Sequence, residues 1–117
     1  MLGRRRRTYQ GHAQTLTALR ADLANLDTEV AVLVEQGAAK ATEREILHVL
    51  LDYVRALDKA VAGLLVIFEN LQHDESAYRD TGADGPSGFT RDKLGYDRSL
   101  TELERLGTRL NRLFASY

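Results

Sequence analysis

Histidine and glutamate supply the best metal-binding chemistry that this sequence offers. Glu45-Ile-Leu-His48 has the Glu-x-x-His spacing that places two ligands on one helix face in di-iron bundles. A complete site of that kind needs a second copy of the motif and two further glutamates that point inward. The chain contains one copy, and His48 falls on the polar side of its helix. The pattern therefore indicates a surface histidine.

A second set of possible ligands is His12, Glu69 and His73. Glu69 and His73 are spaced i, i+4 on a helix, and an antiparallel hairpin would bring His12 close to Phe68. Zinc or another divalent ion uses these donor types. The competing interpretation, a partly buried His12 that bonds to Glu69 or to water, is favoured. The three residues are therefore secondary metal candidates, and we expect no metal and no cofactor.

A run of four arginines, Arg4, Arg5, Arg6 and Arg7, is the most conspicuous charge feature. Such side chains can make phosphate contacts on DNA, RNA or a membrane surface. The whole chain has a formal net charge of −1, and residues 1–7 contribute +4, so the remainder carries −5. A body of that charge would repel a phosphate backbone. Nucleic-acid binding through the arginines is therefore an alternative function and not the leading one.

The segment Asp80–Asp92, DTGADGPSGFTRD, matches two kinds of ligand-binding loop only in part. In a calcium loop that begins at Asp80, the twelfth position would be Arg91, where a bidentate acid is required. As a phosphate-binding loop, the segment lacks the Gly-Lys-Ser/Thr ending and follows no strand. We interpret residues about 80–92 as a Gly-rich connection.

Catalytic groups are not evident in this sequence. It has no cysteine, which excludes thiol catalysis and cysteine-based metal centres. Its serines lie in no nucleophile elbow, and its apolar stripes contain no paired acids whose pKa values burial could separate. We expect no enzyme.

Heptad spacing of apolar residues predicts helices at about 8–36, 42–78 and 92–116. Gly37 is a helix stop, and Thr42 with Glu45 fits a capping box. A joint this short makes the first two helices an antiparallel hairpin. The predicted fold class is all-α: a long antiparallel hairpin plus a third, shorter helix, which is a three-helix bundle-like arrangement completed by oligomerisation. A flexible basic arm, 1–7, would precede a single bundle domain, 8–117. The narrow apolar stripe of the first helix includes Leu16, Leu19, Leu23, Leu26, Val30 and Leu33.

The second helix is apolar over more of its surface than one neighbour can cover. Its stripes, which include residues 60–68, AVAGLLVIF, occupy roughly half of the helix circumference. A third helix of about 21 residues would be roughly 32 Å long against about 45 Å for each of the others, so it would stop short of the hairpin tip. Uncovered apolar side chains at that tip are the predicted self-association residues: Val32, Val34, Ile46, Val49 and Leu51.

These observations predict a non-catalytic helical interaction protein that acts through apolar helix faces, as an oligomeric scaffold, an adaptor or a small chaperone. The expected partner is a second copy of the chain, with a dimer favoured, or another protein. A nucleic-acid accessory protein is the alternative, and a metal-dependent helical-bundle enzyme is the third hypothesis. Since AVAGLLVIF falls far short of the ~20 apolar residues that a bilayer requires, no transmembrane segment is expected. A cytoplasmic location is predicted.

Overall fold

Three long helices make up the computed structural model, which describes residues 2–37, 40–81 and 85–117, with side chains described from Arg4 onward. Helix α1 spans Leu2–Gln36, α2 spans Ala41–Arg79 and α3 spans Gly88–Ala115. The described residues contain no strand. The all-α prediction, with a helical hairpin and a third helix packed along it, is confirmed.

Helices α1 and α2 form the antiparallel hairpin. Gly37 ends α1 with a φ of 73°, a left-handed conformation that glycine adopts without the steric cost of a Cβ. Leu23 of α1 is buried with Val54 and Val61 of α2, and Leu16, Leu50 and Leu57 pack against this cluster. Two ion pairs cross one edge of the interface, Arg20 with Asp58 and Arg55 with Asp27, each at 2.9 Å.

Helix α3 packs on a different face of α2. Ile46 and Val49 of α2 form a buried cluster with Leu110 of α3, and Leu50 packs against this second cluster as well as the first. Gly107 lets α3 approach Tyr53 closely, because a Cβ there would lie 3.3 Å from the tyrosine ring. Helix α2 is therefore the central helix, as its broad apolar arc predicts.

The basic run is helical in the structure. Helix α1 begins at Leu2, so residues 2–7 continue this helix, where the sequence predicts a flexible arm over residues 1–7. Arginine is a good helix former. Tertiary contacts also hold this end of α1 on α2: Arg5 and Tyr9 both bond to Glu75, and the ring of Tyr9 packs on Phe68.

Helix α3 begins earlier than the sequence predicts, because Ser87 caps it. The Ser87 hydroxyl accepts a hydrogen bond from the Thr90 amide at 3.1 Å, and the ring of Phe89 packs edge-on against Tyr78. Residues 88–92 therefore belong to α3 and not to the Gly-rich connection. Residues 82–84 of that connection lie outside the described residues.

Helix α2 departs from the prediction at both ends. It begins at Ala41 with Lys40 as its N-cap and no side-chain cap, so the predicted Thr42–Glu45 capping box does not form. Near its other end, Asp74 leaves helical geometry, with φ −157° and ψ 87°. The Asp74 carboxylate accepts a hydrogen bond from the Ala77 amide, so it caps a short final turn that carries Tyr78 toward α3.

Helix α3 packs over part of the hairpin tip, where the sequence predicts the self-association residues, and self-association there stays a prediction. Helix α3 has 28 residues and reaches the tip, where Arg109 pairs with Glu45 and the Tyr117 hydroxyl donates to Glu43. Three of the five predicted residues are buried within one chain: Ile46 and Val49, which pack with Leu110 of α3, and Leu51. Val34 is half-buried, and only Val32 is well exposed.

Candidate interaction groove

The structure leaves a long apolar channel open, because α1 and α3 both pack on α2 and, in the described ranges 2–37, 40–81 and 85–117, their backbones do not approach each other. Within the described residues, no Cα atom of α1 comes within 8 Å of a Cα atom of α3. In a four-helix bundle each helix packs against two adjacent helices around a shared core, and helices on the diagonal stay further apart. The arrangement therefore corresponds to a four-helix bundle from which one helix is missing.

Helix α1 forms one wall of this channel. Leu16, Leu23 and Val30 form the line that faces α2. Arg20 and Asp27 lie four residues after members of this line, at about +40° around the helix, where they form the ion pairs of one edge. Leu19, Leu26 and Leu33 lie three residues after its members, at about −60°, and so occupy the opposite edge. These three leucines are 39–48% exposed.

The floor of the channel comes from α2. Leu50 belongs to neither interface alone, since it packs against both buried clusters, and it therefore lies between α1 and α3. Leu57 and Leu64 continue its line at heptad spacing and are half-buried. The opposite side of α2 is polar and carries His48, Asp52 and Lys59, all exposed.

Helix α3 forms the second wall with Leu100, Gly107 and Phe114, one residue per heptad. Phe114 is 54% exposed. The opposite flank of α3 contains Glu102, which shares a polar cleft with Lys59 of α2. The pairings Arg20–Asp58 and Tyr53–Gly107 set the register of the three helices. That register places the wall residues of α1 and α3 at matching heights.

We call this channel the front groove. It is lined by Leu19, Leu26 and Leu33 of α1, by Leu50, Leu57 and Leu64 of α2, and by Leu100, Gly107 and Phe114 of α3.

The solvent-accessible surface of the chain agrees with an open structure. A compact monomer of 13.1 kDa exposes about 6,400 Å², whereas this chain exposes 8127 Å². Its radius of gyration is 18.1 Å, against about 13 Å for a compact domain of this length. The elongated shape of the chain explains part of this excess in surface area. We attribute another part to the open front groove.

The edges of the front groove are acidic. Moving outward from the wall leucines, α1 presents Asp22 and Glu29, and α3 presents Asp97 and Glu104, at heptad spacing on each helix. All four side chains are exposed, and none makes an ion pair within the described residues. We call these four residues the acidic rim.

Several of the basic side chains are held elsewhere. Arg105 bonds to Glu102, which lowers the pKa of that carboxyl group, and the hydrogen bond that Arg20 donates to Asp58 raises the pKa of Arg20. Arg109 pairs with Glu45. These guanidinium groups lie away from the acidic rim, so the negative charge of the rim is not neutralised by them.

The predicted phosphate-binding residues do not form one basic surface. Successive residues of a helix are rotated by about 100°, so Arg4, Arg5, Arg6 and Arg7 point in different directions around α1. Arg5 also pairs with Glu75, at 3.4 Å.

The secondary metal candidates do not form a ligand cluster. The His12 ring stacks near Phe68, with 4.9 Å between ring centroids, as the hairpin register predicts. Glu69 and His73 line a shallow recess with Arg6. In the part of the chain that the structure describes, no group of three His, Cys, Asp or Glu side chains with metal-binding geometry is found.

The sequence pattern identifies the leucines of the front groove as apolar heptad positions but not as an open wall. The available signal is the difference in width between the two stripes: the stripe of α1 is narrow, whereas that of α2 is broad. Which of two adjacent stripes stays uncovered depends on where α3 packs, and local spacing does not carry that information.

Neither protein-family models, curated proteins nor solved structures give a significant match to this chain. Among the described residues, no helix has the combination of length and apolar character needed to cross a bilayer. The surface of the chain itself therefore provides the basis for a functional proposal.

Proposed function

We propose that this chain is a non-catalytic interaction protein, of the adaptor type, whose front groove takes up an amphipathic helix and so completes a four-helix bundle. The single observation that carries the proposal is the separation of the α1 and α3 backbones, over the described residues, above an apolar floor. Burial of apolar surface is the main driving force of most protein association. The groove has the shape and chemistry that such a helix requires.

The scarcity of buried polar side chains among the described residues also supports a non-catalytic role. Ser87 is the one buried polar residue among those described, and its hydroxyl is engaged in capping α3. Catalytic groups usually sit in clefts where burial and neighbouring charges shift their pKa values. The groove residues, by contrast, offer leucine and phenylalanine side chains, which bind and do not react.

The occupant can be a second copy of the chain or a helix of a different protein, and both complete the bundle. The dimer expected from the sequence therefore remains a proposal. Its contact surface moves from the hairpin tip to the front groove. The predicted cytoplasmic location also remains a proposal, and fractionation of cells that express the protein would test it.

A helical peptide of three heptads, about 21 residues, tests the proposed function. It has Leu at positions a and d, Gln at positions e and g, and equal numbers of Lys and Glu at the outer positions. We expect this Gln-flanked peptide to bind the chain with one-to-one stoichiometry in a fluorescence anisotropy titration. Leu26→Lys places a charge in the groove wall and should weaken binding at least about tenfold, because burying an unpaired charge costs more than ~1.4 kcal/mol.

Leu94→Lys is the matched control. Leu94 is exposed to a similar extent, 52% against 41% for Leu26, but it lies on the outer side of α3, away from the front groove. This variant should bind the peptide like the original chain. Equal losses for the two variants, or no binding by the original chain together with a monomeric mass in solution, would refute the proposed function.

A further inference from the structure

The acidic rim distinguishes between the two kinds of occupant. Helical rotation places Asp22 and Glu29 along the outer edge of one wall of the front groove and Asp97 and Glu104 along the outer edge of the other, and all four are exposed. A helix seated between them would place its own flanking positions next to all four carboxylates. Like charges that face each other oppose association, whereas opposite charges favour it and select the partner.

A second copy of the chain fits this rim poorly. In a twofold arrangement with the grooves facing each other, each rim meets a rim of the other copy. Since the α1 rim and the α3 rim are both acidic, a dimer that places rim against rim, with the two copies parallel, brings carboxylates together. The run of consecutive arginines in this chain, Arg4–Arg7, contains no apolar residue. It therefore does not supply a basic helix with an apolar stripe of its own.

The geometry points to a basic amphipathic helix of a different polypeptide, with an apolar stripe flanked by Lys or Arg, as the occupant of the front groove; this inference rests on the proposed function. The wall leucines extend from Leu19 to Leu33, a rise of about 21 Å. Two to three heptads of the partner helix would therefore be in contact.

Basic side chains at the other end of the groove indicate how charges should be distributed along the partner helix. Lys93 of α3 and Arg4 of α1 are exposed on the groove side of their helices, near the end of the molecule opposite the hairpin tip. The partner helix should therefore carry its basic residues over the acidic rim. It tolerates acidic residues only where it passes Arg4 and Lys93.

Two further peptides test this inference, identical to the Gln-flanked peptide except for Lys or Glu at positions e and g. We expect the Lys-flanked peptide to bind at least about tenfold more tightly than the Glu-flanked peptide at about 50 mM salt. The difference should shrink at about 300 mM salt, because the rim charges are exposed and are screened. Equal affinities of the two peptides would overturn the inference and leave the proposed function standing.

Charge reversal at rim residues of the protein provides a second test of the inference. Glu29→Lys with Glu104→Lys changes two rim positions and should weaken binding of the Lys-flanked peptide about tenfold. Glu35→Lys with Asp52→Lys changes the net charge equally at exposed positions away from the groove. The control pair should change the affinity by less than about twofold, since long-range charge effects are screened. A loss as large in the control pair would show that net charge, and not the rim, selects the peptide.

The mass of the chain alone, from light scattering after size exclusion, separates the remaining outcomes. A monomer that binds the Lys-flanked peptide supports the inference. A dimer that Leu26→Lys dissociates and Leu94→Lys does not would make a second copy the occupant, and would overturn the inference while it supports the proposed function. A monomer that binds none of the three peptides would refute both.

Discussion

Tyr78 joins the end of α2 to the start of α3 through one short hydrogen bond. Its hydroxyl donates to the Asp92 carboxylate at 2.5 Å, beside the close approach of Gly88 to the tyrosine ring. Burial, and then the hydrogen bond to Asp92, raise the pKa of Tyr78 well above its usual range. The folded protein therefore holds this proton more tightly than the unfolded chain does.

Tyr78→Phe should lower the stability of the fold and change how that stability depends on pH. The substitution should lower the free energy of unfolding by about 1 kcal/mol at about pH 8, because one hydrogen bond is lost. A raised pKa in the folded state stabilises the fold fully below the unfolded pKa of about 10, and that contribution is lost as the pH rises further. Urea unfolding should therefore show a smaller difference between the two proteins at about pH 11.

Tyr96→Phe is the control for this prediction, because the Tyr96 hydroxyl makes no hydrogen bond within the described residues. It should be close to neutral at both pH values. A difference for Tyr78→Phe that is the same at about pH 8 and about pH 11 would contradict the assignment of the proton to the bond with Asp92.

Single residues show where the sequence is informative. The proximity of His12 to Phe68 follows from heptad spacing and a short hairpin joint, both of which are local features. The bond between Tyr78 and Asp92 does not follow from them, because the kink at Asp74 and the Gly-rich connection hide the register between α2 and α3. Periodicity specifies the face of a helix but not which residues of two successive helices meet.

At the scale of elements, helix ends are predicted where one residue dictates the backbone. Gly37 ends α1 as its freedom to adopt positive φ indicates. Composition is misleading at Gly88–Asp92, where glycine and threonine suggest a loop. There, the Ser87 cap and the packing of Phe89 on Tyr78 stabilise a helix. Tertiary contacts of this kind override weak local preferences.

The extra length of α3 has a direct consequence at the hairpin tip. Because α3 covers Ile46 and Val49, the tip belongs to the core of one chain. Ile46→Glu should therefore lower the free energy of unfolding by roughly 3 kcal/mol or more, since it buries an unpaired charge. Val32→Glu, at a position that is 44% exposed, should cost less than about 1 kcal/mol.

Chemical unfolding of both variants, with light scattering of the folded proteins, checks this prediction. If Ile46→Glu were to leave the unfolding midpoint unchanged but lower the solution mass, the tip would be an interface between chains after all. The contrast between Ile46 and Val32 thus distinguishes a core position from a surface position on the same apolar pattern.

At the scale of the whole molecule, α1 and α3 pack on two faces of α2 and leave part of its apolar surface uncovered. The all-α class, the hairpin and the central position of α2 are predictable because each follows from stripe width and joint length. The position of the uncovered surface is not predictable in this way. Because α3 begins at Gly88 and has 28 residues, its last turns reach the tip, while the separation of α1 from α3 among the described residues opens the side of the bundle.

The central claim is that the front groove, and not another apolar surface, receives a helix. Methyl nuclear magnetic resonance of leucine- and valine-labelled protein, titrated with the Gln-flanked peptide, tests it most directly. A helix bound in the front groove should change the chemical shifts of the methyl groups of Leu19, Leu26 and Leu57. The exposed controls Leu94 and Val66 should change little. Shifts that appear at Leu94 and Val66, while the groove leucines stay unchanged, would contradict it.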